Sequence, residues 1–199
     1  MKLAIMGGTF NPIHIGHLVC AEEAITQYGL DQVVFMPAGL PPHKEVQNGA
    51  SSEDRYLMAA IATASNPRFE ISRYEIDRKQ ISYTVDTIRH YREELPEAEL
   101  FFITGADAVT EILEWKDPAE LLSMAVLIAA TRPGYPLDSI SGTTQHFLKQ
   151  NRVRIMEIPA IGVSSSLIRE RTAKGQSIRY LVPQGVEQFI EKERLYRQA

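Results

Sequence analysis

Apolar runs along the chain stop repeatedly at glycine or proline, and the stretches between them carry apolar residues at helical spacing. Leu3-Ala4-Ile5-Met6 ends at Gly7-Gly8, and Leu18, Ala21, Ile25 and Tyr28 then recur with a helical period until Gly29. Val33-Val34-Phe35-Met36, cut off by Pro37, predicts a second buried strand, and a Pro/Gly-rich loop containing Pro41-Pro42-His43-Lys44 follows through Gly49. Ser51 with Asp54 after it predicts a capping box that opens a helix through Ala64, closed by Asn66-Pro67. Phe69 to Ile76 alternates as an extended segment, and Tyr83-Thr84-Val85-Asp86 begins a helix that ends before Pro96. Leu100 to Ile103 predicts a strand running into Gly105-Ala106-Asp107, and Asp117-Pro118 a helix start with proline in its first turn. Ala125 to Ala130 is the most apolar strand, Val153 to Ile158 a sixth, and helices follow at Ser164 to Thr172 and from Pro183 to about Tyr196.

Apolar strands alternating with helices imply βαβ units: a doubly wound α/β fold with a mainly parallel sheet covered on both faces. Ligands of such sheets bind beyond the carboxyl ends of the strands, beside the point where strand order reverses. Four strand ends rich in glycine or serine are therefore candidate walls of one site: 7–17, 105–107, 131–134 and 162–166.

Composition narrows the class. The chain has 199 residues, 44% of them hydrophobic, which fits one compact domain over 1–199. A formal charge of −4 argues against a protein built to grip nucleic acid, which needs clustered Lys and Arg. The single cysteine, Cys20, has no partner for an internal disulfide, so a cytoplasmic location is expected and a small buried helix residue is its ordinary role. Met124 to Ala130 is far short of a membrane span, and the N-terminal apolar run is too short for a signal peptide, so no membrane partner is expected.

The first strand-to-helix loop reads Gly7-Gly8-Thr9-Phe10-Asn11-Pro12-Ile13-His14-Ile15-Gly16-His17. Glycines there let the backbone approach a phosphate, and the helix start adds free N–H groups at the positive end of its dipole. Neither the GxGxxG spacing of a dinucleotide fingerprint nor the GK[ST] of a P-loop is present. His14 and His17 can point two ring donors at one ligand; a metal site or plain packing are the alternatives, although no HExxH pattern accompanies them. Near the other end, Val163-Ser164-Ser165-Ser166-Leu167-Ile168-Arg169-Glu170-Arg171 supplies a second anion cradle, with Arg169 one turn into the helix able to fork onto phosphate oxygens.

These motifs together are specific. The His-Ile-Gly-His signature after Gly-Gly-Thr-Phe-Asn-Pro resembles the nucleotidyltransferase superfamily, which shares it with class I aminoacyl-tRNA synthetases. The serine-rich segment resembles the ISSTxIRxR element of the adenylyltransferase branch, with Val163 in place of Ile and Ser166 in place of Thr. Over nearly the whole length, through GGTFNPIHIGH, PPHK, SYTVDT, GADA and VSSSLIRER, the chain is similar to the bacterial nicotinate mononucleotide adenylyltransferase family. That resemblance implies a Rossmann-like nucleotidyltransferase fold and transfer of an adenylyl group from ATP to nicotinate mononucleotide in NAD biosynthesis. It implies that His14, His17 and Arg169 act on the triphosphate. Gly7, Gly8, Thr9, Phe10, Gly16, Gly105, Asp107, Ser164, Ser165 and Ser166 would help to hold ATP, with Asp107 on a ribose hydroxyl. It assigns His43 and Lys44 to phosphate contacts and Thr84 and Trp115 to the nicotinate ring and its carboxylate, with Arg132 a weaker candidate on the same substrate. A Mg²⁺ ion would be carried by the ATP phosphates rather than by protein ligands, and a homodimer is a family-based expectation.

Ordinary roles stand beside several of these. Trp115 also suits a core position, Thr84 and Asp107 could be helix caps, and Lys44 sits in a loop that could be mobile surface. A related enzyme, such as pantetheine-phosphate adenylyltransferase or a cytidylyltransferase, is disfavoured by SYTVDT, Trp115 and the length. A class I synthetase is disfavoured by the missing KMSKS-like loop. A non-catalytic nucleotide-binding module is disfavoured by the joint presence of His14, His17 and Arg169.

Overall fold

The computed structural model describes residues 1–40, 49–110, 112–131 and 150–197. Six strands form one sheet in the order β3-β2-β1-β4-β5-β6, and every pairing is parallel. The strands are β1 (Lys2–Gly8), β2 (Gln32–Pro37), β3 (Phe69–Ile71), β4 (Glu99–Gly105), β5 (Ala125–Thr131) and β6 (Val153–Glu157). Between and after them lie α1 (Ile15–Tyr28), α2 (Ser52–Thr63), α3 (Tyr74–Arg78), α4 (Thr84–Glu94), α5 (Ala106–Thr110), a 3₁₀ turn (Ile112–Glu114), α6 (Pro118–Met124), α7 (Ser165–Ala173) and α8 (Gln184–Lys192). Among the described residues no helix is long and apolar enough to cross a membrane.

Both faces of the sheet are covered, which is why its strands read as continuous apolar runs rather than alternating ones. Within β1, Ala4 and Met6 pack into a core shared with Cys20 of α1, Met58 of α2, Ile168 of α7 and Val186 of α8. Leu3 and Ile5 point the other way, to Val85 and Ile88 of α4 and Leu121 of α6. The two-residue period of a strand thus sorts one run of sequence into two cores. Because β1 pairs with β2 on one edge and β4 on the other, chain order reverses between β1 and β4, and a crevice opens beyond their carboxyl ends.

The capping box of α2 is present as its sequence predicts: Ser51 Oγ accepts from the Asp54 amide at 3.1 Å, and Asp54 Oδ2 accepts from the Ser51 amide at 3.0 Å. The extended reading of Phe69 to Ile76 holds only as far as Ile71, and the chain then turns into α3. Tertiary contacts override the alternation there. The Tyr74 ring stacks on His90 of α4 at 3.8 Å, and the buried Glu75 carboxylate accepts from Thr87 Oγ1 at 2.6 Å, which a continued strand could not reach.

Candidate active site

The loop after β1 delivers two imidazoles to the start of α1. His14 is the N-cap, with extended backbone (φ −147°, ψ 170°), and its amide donates to His17 Nδ1 at 3.1 Å while the His17 amide donates to the His14 carbonyl at 2.9 Å. The two rings stack at 3.7 Å, and Phe10 meets His17 edge-on at 5.1 Å. Since Nδ1 of His17 accepts a hydrogen bond, the neutral ring carries its proton on Nε2 and offers that N–H as a donor. Burial, then the neighbouring His14, holds the His17 pKa well below 6.5, so the donor at neutral pH is the uncharged imidazole.

The second helix start arrives from the far end of the chain and is tied to the first. Ser164 caps α7, its Oγ accepting from the Leu167 amide at 3.2 Å. Ser165 Oγ donates to the Pro12 carbonyl at 2.8 Å, and Arg169 Nη1 donates to the Asn11 carbonyl at 2.8 Å while Nη2 reaches Ser166 Oγ at 3.2 Å. Arg169 therefore faces the early loop, whereas Arg171 turns away to the Ser177 carbonyl. Gly16 permits the approach of the two elements: a Cβ there would lie 3.1 Å from His14 Nδ1 and 3.2 Å from Val163 Cγ1.

A cavity of about 500 Å³ lies at the reversal point, and all four predicted walls contribute to it. Gly7, His14, Gly16 and His17 come from the first, Gly105 and Ala106 from the second, Thr131 from the third, and Val163 and Ser164 from the fourth. Of the remaining residues singled out in the sequence, Ser165, Ser166 and Arg169 are bonded to the early loop or to one another rather than set in the wall. Gly8 closes β1, the Thr9 carbonyl accepts from Arg55, and the Phe10 ring is buried in the core against His17 and Phe35. Thr84 and Trp115 sit elsewhere, on the α4 and α6 side of the sheet. Thr84 is the first helical residue after the N-cap Tyr83, so it is not the cap itself. Trp115 is half-buried with its ring edge-on to Phe102 at 6.1 Å, so its packing role is realised. Asp107 falls in α5, directly after the wall residues Gly105 and Ala106; its side chain lies outside what is described, as do His43, Lys44 and Arg132.

Among the polar residues of the wall, Thr104 escaped the sequence reading. Thr104 stands beside Gly105 at the carboxyl end of β4, next to Thr131 of the third predicted wall at the end of β5. Its position at a strand end, one step before Gly105, was a usable signal. Asn11 also went unremarked, although its side chain accepts from the Ala50 amide at 3.3 Å and the Tyr196 hydroxyl at 2.7 Å.

A doubly wound sheet with two helix starts tied together beside a cavity at its reversal point is the architecture of a nucleotide-handling α/β protein. The cytidylyltransferase-like family model matches residues 5–171, and the chain belongs to that family, within its nicotinate-nucleotide adenylyltransferase branch. A protein of Leifsonia xyli described as "Probable nicotinate-nucleotide adenylyltransferase" is 52% identical over 98% of this chain and 94% of its own length. One of Streptomyces coelicolor with the same description is 50% identical over 96% of this chain and 99% of its own. The fold is shared with Plasmodium falciparum nicotinic acid mononucleotide adenylyltransferase complexed with NaAD, at a TM-score of 0.79 and 18% identity, covering 98% of this chain and 97% of that one.

Proposed function

We propose that the chain transfers the adenylyl group of ATP to nicotinate mononucleotide, giving nicotinate adenine dinucleotide and pyrophosphate, in a reducing cytoplasm. The observation that carries this reading is the direct tie between the two helix starts beside one cavity at the sheet's reversal point. A phosphate oxygen of the mononucleotide attacks the α-phosphorus, the new P–O bond forms, and the bond to the β-phosphate oxygen breaks with its electron pair leaving on pyrophosphate. The attacking phosphate has a second pKa of about 6 and is ionised at neutral pH, so no general base is needed.

What the protein supplies is alignment and positive or N–H donors where charge builds. His17, neutral with its proton on Nε2, donates to the α-phosphate, and His14 to the neighbouring phosphates. Arg169 with the Ser165-Ser166 turn engages the β- and γ-phosphates. Arg169 already spends one N–H on the Asn11 carbonyl and one on Ser166 Oγ, which fixes its guanidinium plane and leaves its other donors for ligand. Thr84 and Trp115 serve the nicotinate end, with His43, Lys44 and Arg132 as phosphate and substrate contacts and Asp107 on the ribose. Mg²⁺ would enter bound to the ATP phosphates, held mainly by phosphates and water rather than by a protein cage.

Pyrophosphate release from ATP, measured side by side with nicotinate and nicotinamide mononucleotides, tests the reading. The acid is expected to be used at least ~10-fold better, because donors aimed at a carboxylate are poorly paired by an amide. Equal use of both contradicts the nicotinate assignment, and no release with either removes the reaction.

A further inference from the structure

Arg55 is among the most buried side chains of the molecule, at 1% exposure, and takes no part in the chemistry above. It projects from α2 between two loops that each follow a central strand. Its Nη1 donates to the Thr9 carbonyl at 2.7 Å and its Nη2 to the Gly39 carbonyl at 3.2 Å. Thr9 lies in the loop that delivers His14 and His17, and Gly39 follows β2. The two loops also touch directly, since the Ala38 amide donates to the Gly8 carbonyl at 2.9 Å.

The far side of Gly39 is equally constrained. Its amide donates to Ser82 Oγ at 3.1 Å, and a Cβ in its place would lie only 2.2 Å from the Glu75 carbonyl oxygen, so no other residue fits that approach. A polar chain thus runs from Thr9 through Arg55 and Gly39 to Ser82, just ahead of α4. Glu75, buried and bonded to Thr87, supplies the carboxylate whose field reaches Arg55. As a stabilising device this is poor: a buried cation costs desolvation, and Arg55 Nε has no partner among the described residues. The planar fork does, however, set the spacing of two carbonyls that a single-point donor could not hold together.

We propose that Arg55 is a positioning residue for the adenylyl transfer, fixing the loop after β1 against the loop after β2 so that the imidazoles meet the triphosphate in line. The inference rests on the reaction proposed above. R55K keeps the charge but loses the planar fork whose two nitrogens hold the two carbonyls at a fixed spacing. Its kcat is expected to fall at least ~10-fold with the KM of each substrate within about threefold, since small misplacement costs rate more than binding. Amide exchange should accelerate at least ~10-fold at 8–11 and 38–40 while β4 and β5 keep their protection. Wild-type kcat in R55K overturns the proposal, as does faster exchange spread over the whole sheet, which would mark general support of the fold. R55Q provides the same two readouts if R55K does not fold, and failure of both to fold also overturns it. Absence of pyrophosphate release by the wild-type protein refutes the reaction instead, and the exchange pattern then decides alone whether Arg55 holds the two loops together.

Discussion

His17 shows how a single side chain is set for its task. The His14 amide fixes its tautomer, and burial keeps it neutral, so the donor it presents to an accumulating negative charge is the Nε2–H. H17A is expected to lower kcat by at least ~10²-fold with a modest change in ATP affinity, as for a donor strengthened in the transition state; steady-state kinetics at saturating ATP checks it. The same depressed pKa has a stability consequence. The unfolded chain takes up the His17 proton near 6.5 and the folded one only at lower pH, so the fold loses stability as pH falls from about 6.5 toward the folded value. H17N is expected to flatten that part of a curve of unfolding free energy against pH. Cys20, in the cavity wall, has its thiol pushed up to about 12 by burial and by Glu23, so it remains a neutral thiol and alkylates far more slowly than a free cysteine at pH 8.

At the scale of elements, the start of α7 separates two serines with different duties. Ser164 bonds within its own helix, so S164A is expected to cost about 1 kcal/mol of stability, read by chemical denaturation. Ser165 bonds to the Pro12 carbonyl across the site, so S165A should lower kcat/KM for ATP by more than its effect on stability accounts for. The caps themselves were legible, because Ser51 with Asp54 and Ser164 before Leu167 are local bonds between near neighbours. The turn from β3 into α3 was not, because its causes are Glu75 meeting Thr87 and Tyr74 meeting His90, contacts between segments that the alternation of Phe69 and Ile71 cannot report. The capping role considered for Thr84 failed by one position, the usual uncertainty of a helix boundary read from sequence.

At the scale of the whole molecule, the early loop is gripped from three directions: by α7 through Ser165 and Arg169, by α2 through Arg55, and by the segment after α8 through Tyr196. Y196F removes the hydroxyl that donates to Asn11 Oδ1, and is expected to cost about 1 kcal/mol. That corresponds to a Tm lower by about 2–4 °C for a chain of this size. A fall in kcat/KM should accompany it, because Asn11 also offers the carbonyl that orients Arg169.

The hydrophobic pattern alone determined six strands, the alternation with helices and the four loops that wall the cavity, because burial on both faces of a parallel sheet writes itself as short apolar runs ended by glycine or proline. The motifs alone pointed to phosphate chemistry, because backbone approach and free N–H groups need particular residues at particular loop positions. Only the tertiary structure decided that the strand order reverses between β1 and β4, that Arg169 reaches the Asn11 carbonyl, and that Arg55 is buried between Thr9 and Gly39. Those contacts join residues up to 158 positions apart, and local patterning carries no record of which distant segments come to share a wall.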